Sequence, residues 1–130
     1  MANPNIVSVT AITAGSLGWN LPTGGLVNLI SPASNYLLKI NRIVCANVDG
    51  TSAADLNLLI TTSIQTSLGG TVAGGATNIY LAKTISVPAD ASLVVSDTPI
   101  YLREGDILKG GASATSDLEL FITYEVLDDA

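Results

Sequence analysis

The feature that most constrains the fold is the segment from Ile79 to Ser113, in which short alternating apolar runs are separated by turn-forming residues. The turns are predicted at Pro88-Ala89-Asp90, Asp97-Thr98-Pro99 and Glu104-Gly105-Asp106. Proline presets φ, while glycine and aspartate favour turns, so each triplet ends one strand and lets the next begin. The segment therefore predicts consecutive strands with tight connections, and the acids of the Glu104-Gly105-Asp106 turn are expected to stay in water.

The same two-residue period continues through much of the chain. In Leu118 to Val126 the even positions are apolar and the odd positions are polar apart from Phe121, which is typical of a half-buried strand. Tyr36 to Val48 also alternates, but Arg42 interrupts its apolar face. This interruption indicates either a β-bulge or an arginine that reaches a neighbouring surface.

Two apolar faces follow from this alternation. After Arg42, the face is expected to continue through Val44, Ala46 and Val48. A later strand is expected to share one face, broken by Lys83, among Ile79, Leu81, Ile85 and Val87. No segment has a sustained helical period, and glycine and proline recur too often for a long helix.

The fold class predicted is therefore all-β, a single antiparallel β-sandwich of about eight or nine strands with jelly-roll-like or Greek-key connections. A length of 130 residues suits one domain, which we expect to span residues 1–130. Such a domain is large enough to bury a core without disulfides or metals.

Three segments are candidates for contacts with partners. Residues 1–13 are predicted as an N-terminal arm or strand, 66–77 as a flexible loop, and Ala14 to Gly25 as a glycine-rich loop around Trp19. Trp19 either anchors its loop to its own domain, which we favour, or is an interface hot spot. The candidate interface residues are Ile6, Val7, Trp19, Gly69, Gly70, Gly74 and Gly75.

Composition narrows the function. Charged residues make up only 12% of the chain, against roughly 25% in typical domains, and the net charge is -6. A surface of small uncharged residues suits a subunit that other subunits cover, and the negative charge disfavours nucleic-acid binding. No apolar run is long enough to span a membrane, and no secretory signal is expected, so assembly in a cytoplasm is predicted.

The sequence contains no clear catalytic, cofactor or metal site. The chain has no histidine, which removes the common nucleophile systems and most zinc sites. Its single cysteine, Cys45, lies in an apolar run and is expected to be buried. Asp117, Glu119 and Glu125 form either an acidic patch or a weak calcium site, without the spacing of an EF-hand. We therefore predict no enzyme activity, cofactor or metal.

A resemblance adds to this interpretation. The motifs that carry it are Ile79–Lys83, Ile85–Ala89, Ser92–Val94, Pro99–Leu102 and Glu104–Lys109, with Asn5–Thr10 and Ile43–Asn47 earlier in the chain. In these strand-and-turn patterns the chain resembles a group of small virion proteins of tailed bacteriophages, common in cyanophages and other environmental phages. The likeness covers most of the chain apart from the two glycine-rich segments.

The resemblance implies a non-enzymatic structural protein located in the virion and assembled in the host cytoplasm. The implied role is capsid cement or decoration, as a trimer at local three-fold positions, with the major capsid protein or another virion protein as partner. The alternative is a tail-fibre or baseplate component, or a receptor- or glycan-binding module. Such a module should have a solvent-facing aromatic cluster or a metal site.

Overall fold

The computed structural model describes residues 8–62 and 77–128, which form nine β-strands and no α-helix. The strands are β1 Ala11–Asn20, β2 Val27–Ile30, β3 Tyr36–Asn47, β4 Ala54–Thr61, β5 Asn78–Val87, β6 Ser92–Ser96, β7 Ile100–Leu102, β8 Ile107–Ala112 and β9 Leu118–Asp128. The three predicted turns between Ile79 and Ser113 are confirmed, because they separate β5, β6, β7 and β8.

The strands form two antiparallel sheets. Sheet A has the order β1-β9-β3-β6, with β7 pairing β3 beside β6, and sheet B has the order β2-β8-β4-β5. The pairs are nested along the chain: β4 with β5, β3 with β6 and β7, β2 with β8, and β1 with β9. A doubled ribbon of this kind, divided between two sheets, is a jelly roll. The antiparallel sandwich is thus confirmed, and of the two predicted topologies the jelly roll is the one observed.

The core lies between the inward faces of the two sheets. In β9 the inward residues Leu118, Leu120 and Ile122 are buried, as the alternation predicts. Leu56 and Leu58 of β4 meet them from sheet B within one cluster of buried residues. The outward faces carry the remaining positions of each strand, and these faces are where a partner would dock.

A β-bulge in β3 corrects one predicted face. The pairing of β3 with β9 shifts between Ile40 and Arg42, so Asn41 is the extra residue. Beyond the bulge the inward residues are Ile43 and Cys45, both 0% exposed. The expectation that Val44, Ala46 and Val48 would continue the apolar face is wrong, since one inserted residue exchanges the two faces.

Irregularities in β5 correct a second predicted face. The β4–β5 pairing shifts register twice, and Thr84 has a left-handed φ of 52°. Ala82 and Val87 are buried, while Ile79 and Ile85 are exposed. The predicted common face is wrong because each shift turns the following residues over.

Asp106 also departs from expectation. It ends the turn between β7 and β8, but it is only 4% exposed. Its carboxylate accepts a hydrogen bond from the backbone N–H of Arg103 at 2.9 Å, which closes the turn around Gly105 at φ 90°. The turn is correctly placed, but this acid is not in water because it serves as a backbone acceptor.

The predicted loop from Ala14 to Gly25 is wrong over most of its length. Ala14 to Asn20 belong to β1, which pairs with β9 through ten consecutive residues without a register shift. Only the part after Asn20 connects β1 to β2. The glycines disfavour a strand locally, but a complete ladder with a long neighbouring strand outweighs that preference.

Candidate interaction surface

The outward face of sheet A carries an apolar row that crosses four strands. Register places Gly18 of β1 beside Phe121 of β9, then Val44 of β3, then Val94 of β6. We call these four residues the apolar row. Phe121 is 50% exposed and Val94 is 46% exposed, so the row presents hydrophobic side chains to solvent. Exposed apolar groups in one contiguous strip are typical of an interaction surface.

Phe121 is outward because of strand geometry. Its neighbours Leu120 and Ile122 point into the core, and alternation sends the residue between them to the opposite face. Gly18, across the ladder, has no side chain to compete with the ring; a Cβ there would stand 3.5 Å from Phe121 Cδ1. The sequence signal for this surface was visible as the single apolar exception in Leu118 to Val126.

One charged residue stands in each row beside the apolar row, Arg42 on one side and the exposed Glu119 on the other. Arg42 and Thr123, with Val44 and Phe121, line a shallow groove of about 260 Å³. Further along, the Asn41 side-chain amide donates a hydrogen bond to Glu125 Oε1 at 3.2 Å. The apolar row itself carries no charge, so covering its four residues costs little solvation.

Another apolar row ends the same face. Ile12 of β1 lies opposite Leu127 of β9, which lies opposite Leu37 of β3. Leu37 and Leu127 are buried, whereas Ile12 is 63% exposed, the highest value among the large hydrophobic residues that the structure describes. Ile12 is therefore the exposed member of this row, at the edge of the sheet.

The predicted interface residues have different outcomes. Trp19 lies on the inward face of β1, opposite Leu120, and packs partly buried against the core. This position agrees with an anchoring role within its own domain. The other predicted contacts lie outside the described residues: Ile6, Val7, Gly69, Gly70, Gly74 and Gly75.

Exposed aromatic rings do not converge in the part of the chain that the structure describes. Tyr80 lies on β5 of sheet B, with Lys83 Nζ 5.2 Å from its ring centroid. Tyr101 and Phe121 lie on sheet A, in different rows. Within the same ranges, no group of three or more His, Cys, Asp or Glu side chains is arranged to hold a metal ion.

One cavity opens at the end of the sandwich, between the sheets. Its volume is about 360 Å³ and its lining carries no charged side chain. The lining residues are Leu17, Ile30, Pro32, Ala33, Tyr36, Leu38, Tyr124 and Val126. Such a lining suits an apolar group and supplies no nucleophile, acid or base beyond two tyrosines.

The titratable groups with shifted pKa values are structural. Burial raises the pKa of the Cys45 thiol to about 11, so the thiol stays protonated and unreactive, as its apolar context predicts. Hydrogen bonds from the backbone N–H and hydroxyl of Thr51 lower the pKa of Asp49. Both groups therefore serve the fold.

No helix in residues 8–62 and 77–128 is long and apolar enough to cross a membrane. No family model matches the chain, and no curated protein matches it. Among solved structures, similarity is found to a chain described under "Bacillus endospore appendages form a novel family of disulfide-linked pili". The identity is 12% and the TM-score 0.45, over 92% of this chain and 88% of the other. A likeness of this size carries no argument about function.

Proposed function

We propose that this protein is a non-enzymatic structural component of a tailed-phage virion, a capsid cement or decoration protein that binds and stabilises the shell of the major capsid protein. The observation that carries the proposal is the apolar row on the outward face of sheet A. Its exposed Phe121 and Val94 belong to a row without charge, with one charged residue in each neighbouring row.

The physical support comes from the cost of docking. An interface core is poor in charge and rich in aromatic side chains, and a ring such as Phe121 contributes most when a partner fully covers it. Gly18 has no side chain and Ala46 has only a methyl group, so little projects from the face beside Phe121. A broad protein surface can therefore approach it. Covering the apolar row removes no charged group from water, so contact along this row is favourable.

The resemblance in the strand-and-turn motifs supports the phage virion as location and the major capsid protein as partner. It also implies a trimer at local three-fold positions, and this assembly stays a prediction. The second candidate, a tail-fibre, baseplate or glycan-binding module, has weaker support because Tyr80 lies on the opposite sheet from Tyr101 and Phe121.

The test is binding to capsids that lack this protein, measured by co-sedimentation together with the temperature at which the particles break. Phe121→Glu places a charge in the centre of the apolar row and is expected to reduce occupancy at least tenfold. Ile85→Glu is the matched control, because Ile85 is similarly exposed but lies on sheet B. Equal occupancy of the two variants, or no binding by the natural protein, would exclude this face as the capsid contact.

A further inference from the structure

We propose that the free edge of β1 is a self-association site, at which β1 of a second copy of this chain pairs antiparallel and joins two copies of sheet A into one sheet. The inference goes beyond capsid binding, but both involve the Phe121 ring, so its tests change residues of β1, with one control in β5, and leave Phe121 intact. It rests on three observations. These are the contrast between β1 and the other sheet edges, the direction of the backbone groups of β1, and the positions of large and small side chains on its outward face.

The other edges carry features that block strand addition. The β2 edge has only four residues and a register shift. The β5 edge has two register shifts and Lys83 near its centre. The edge formed by β6 and β7 is interrupted by Asp97-Thr98-Pro99. Short length, bulges, lysine and proline are the devices by which proteins protect sheet edges.

β1 has none of these devices. It pairs with β9 over ten residues without a register shift and contains no charged residue and no proline. All its residues are exposed except Gly15 and Trp19, which are half-buried. Within residues 8–62 and 77–128, no strand pairs with its other side. A long, regular and uncharged edge is a template for another strand.

The backbone groups that face the open edge can be identified. The N–H of Leu21 donates to the carbonyl of Leu118 at 2.9 Å, and these two residues continue the β1–β9 register. In an antiparallel ladder hydrogen-bonded pairs alternate, so the odd residues of β1 face β9. The even residues therefore direct their N–H and C=O groups toward the open edge: Ile12, Ala14, Ser16, Gly18 and Asn20.

In β1 these even residues also point to the outward face of sheet A. This limits the registers in which two copies of β1 can pair. Two copies related by a two-fold axis must pair even residues with even residues to keep their outward faces on one side. An axis at Gly15 places Ala14 opposite Ser16, and Ile12 opposite Gly18 of the second copy. An axis at Ser16 gives equal overlap, but it places Ile12 opposite the polar Asn20.

The axis at Gly15 gives the better fit. Among the described residues Ile12 is the most exposed large hydrophobic one, and Gly18 leaves open the space beside Phe121. In this register, Ile12 of each copy fills that space and covers the Phe121 ring of the other copy. Because the contact is symmetric, the exposed apolar surfaces of Ile12 and Phe121 are removed from water in both copies.

Charge favours a second copy as the occupant. The chain carries a net charge of -6, so two copies repel each other over most of their surfaces. β1 is uncharged, and therefore no like charges stand directly opposite each other when it pairs with itself. The edge of β1 is thus a place where equally charged molecules can meet at low electrostatic cost.

The first experiment measures the mass of the purified protein by light scattering across a wide range of concentration. The natural protein is expected to form a dimer, in place of the trimer that the resemblance implies, and Ser16→Lys is expected to halve the mass, because it places a lysine on the shared edge. Ser86→Lys is the matched control, an exposed serine on the β5 edge, and should leave the dimer intact. Ser16→Pro should act like Ser16→Lys, because it removes an N–H that faces the open edge and leaves the ladder with β9 unchanged.

The second experiment tests the register. The double variant Ala14→Cys with Ser16→Cys should form a disulfide-linked dimer on mild oxidation, since the axis at Gly15 places these positions directly opposite each other. Each single variant should cross-link weakly. Efficient cross-linking of Ser16→Cys alone would overturn the Ile12–Gly18 pairing. A monomer at every concentration, or an oligomer whose mass Ser16→Lys leaves unchanged, would overturn the site itself.

Discussion

The phenol ring of Tyr124 lies over Gly15, so closely that a Cβ atom at position 15 would stand 2.6 Å from the tyrosine hydroxyl oxygen. The two residues face each other across the β1–β9 ladder. Glycine in a strand often marks a place where another group approaches closely, and here that group is an aromatic ring.

Gly15→Ala is therefore expected to destabilise the protein by about 1–3 kcal/mol, because the ring or the strand must move. Gly18→Ala is the matched control in the same strand. Its Cβ would meet Phe121 Cδ1 at an ordinary 3.5 Å, so its effect should be within about 1 kcal/mol and tend to stabilise. Urea unfolding measures both, and combining Gly15→Ala with Tyr124→Ala should recover part of the loss. Equal effects at the two glycines would show that the ring does not restrict position 15.

Gly111 of β8 is expected to be still less tolerant. A Cβ there would stand 2.6 Å from the backbone carbonyl oxygen of Gly25, and a main chain yields less readily than a side chain. Gly111→Ala should cost about 3 kcal/mol, near the upper end of the range for overpacked sites. Gly50→Ala is the control, because its closest contact would be 3.6 Å from Asp90 Oδ2. Thermal unfolding of the two variants checks the difference, and a melting temperature for Gly111→Ala no lower than for Gly50→Ala would contradict it.

Asn47 joins two connections at one end of the sandwich. Its buried amide donates to the carbonyls of Ser52 and Val87, both at 2.9 Å, and its Oδ1 accepts from the N–H of Asp49 at 2.9 Å. Asn47→Leu should destabilise the protein by roughly 1–3 kcal/mol, because the buried carbonyl of Val87 is left without its donor.

Asn28→Leu is the control for Asn47→Leu, because Asn28 lies exposed in the β2 edge strand. Denaturant titration should show a clear loss for Asn47→Leu and a change within about 0.5 kcal/mol for the control. Hydrogen exchange at the amides near Ser52 should also become faster. A stable Asn47→Leu variant with unchanged exchange would show that the bonds of Asn47 do not hold these connections.

The buried thiol of Cys45 predicts a loss of stability in alkali. Burial raises its pKa from the ordinary 9.0 to about 11. Between these values the unfolded chain has lost the proton and the folded chain retains it, so stability falls as pH rises through this window. Cys45→Ala lacks this contribution. The difference in free energy of unfolding between the natural protein and Cys45→Ala should therefore become smaller from pH 9 toward pH 11. A constant difference would contradict the raised pKa, as would rapid reaction of the native protein with a thiol reagent.

Regular alternation made most of the fold predictable from the sequence. In β9 the buried Leu118, Leu120 and Ile122 are separated by outward residues, and Phe121 stands out as the apolar exception. That exception is the one member of the apolar row with a clear sequence signal. Its neighbours Gly18 and Val94 become part of the row only through pairing across the sheet.

The predictions from the sequence were wrong where pairing with a distant strand determined the local structure. Asn41 bulges out of β3 and exchanges the two faces beyond it, a change that alternation alone does not locate. The glycines of β1 resemble a loop in composition, but the ladder with β9 makes them a strand. The pairing partner lies about a hundred residues away in the chain, so no local rule of propensity reports it.

The nested pairing has a consequence for how the chain folds as it is synthesised. Of the nine strands described above, β1 leaves the ribosome first and its partner β9 last, and Ala11 pairs with Asp128. The innermost β4–β5 pair can close early. The outermost pair cannot close until β9 has been made, and its distant contacts carry the largest entropy of loop closure. Among the paired strands, β1 thus has the longest delay between its own synthesis and that of its partner. It is also a strand whose open edge stays available after the ribbon has closed.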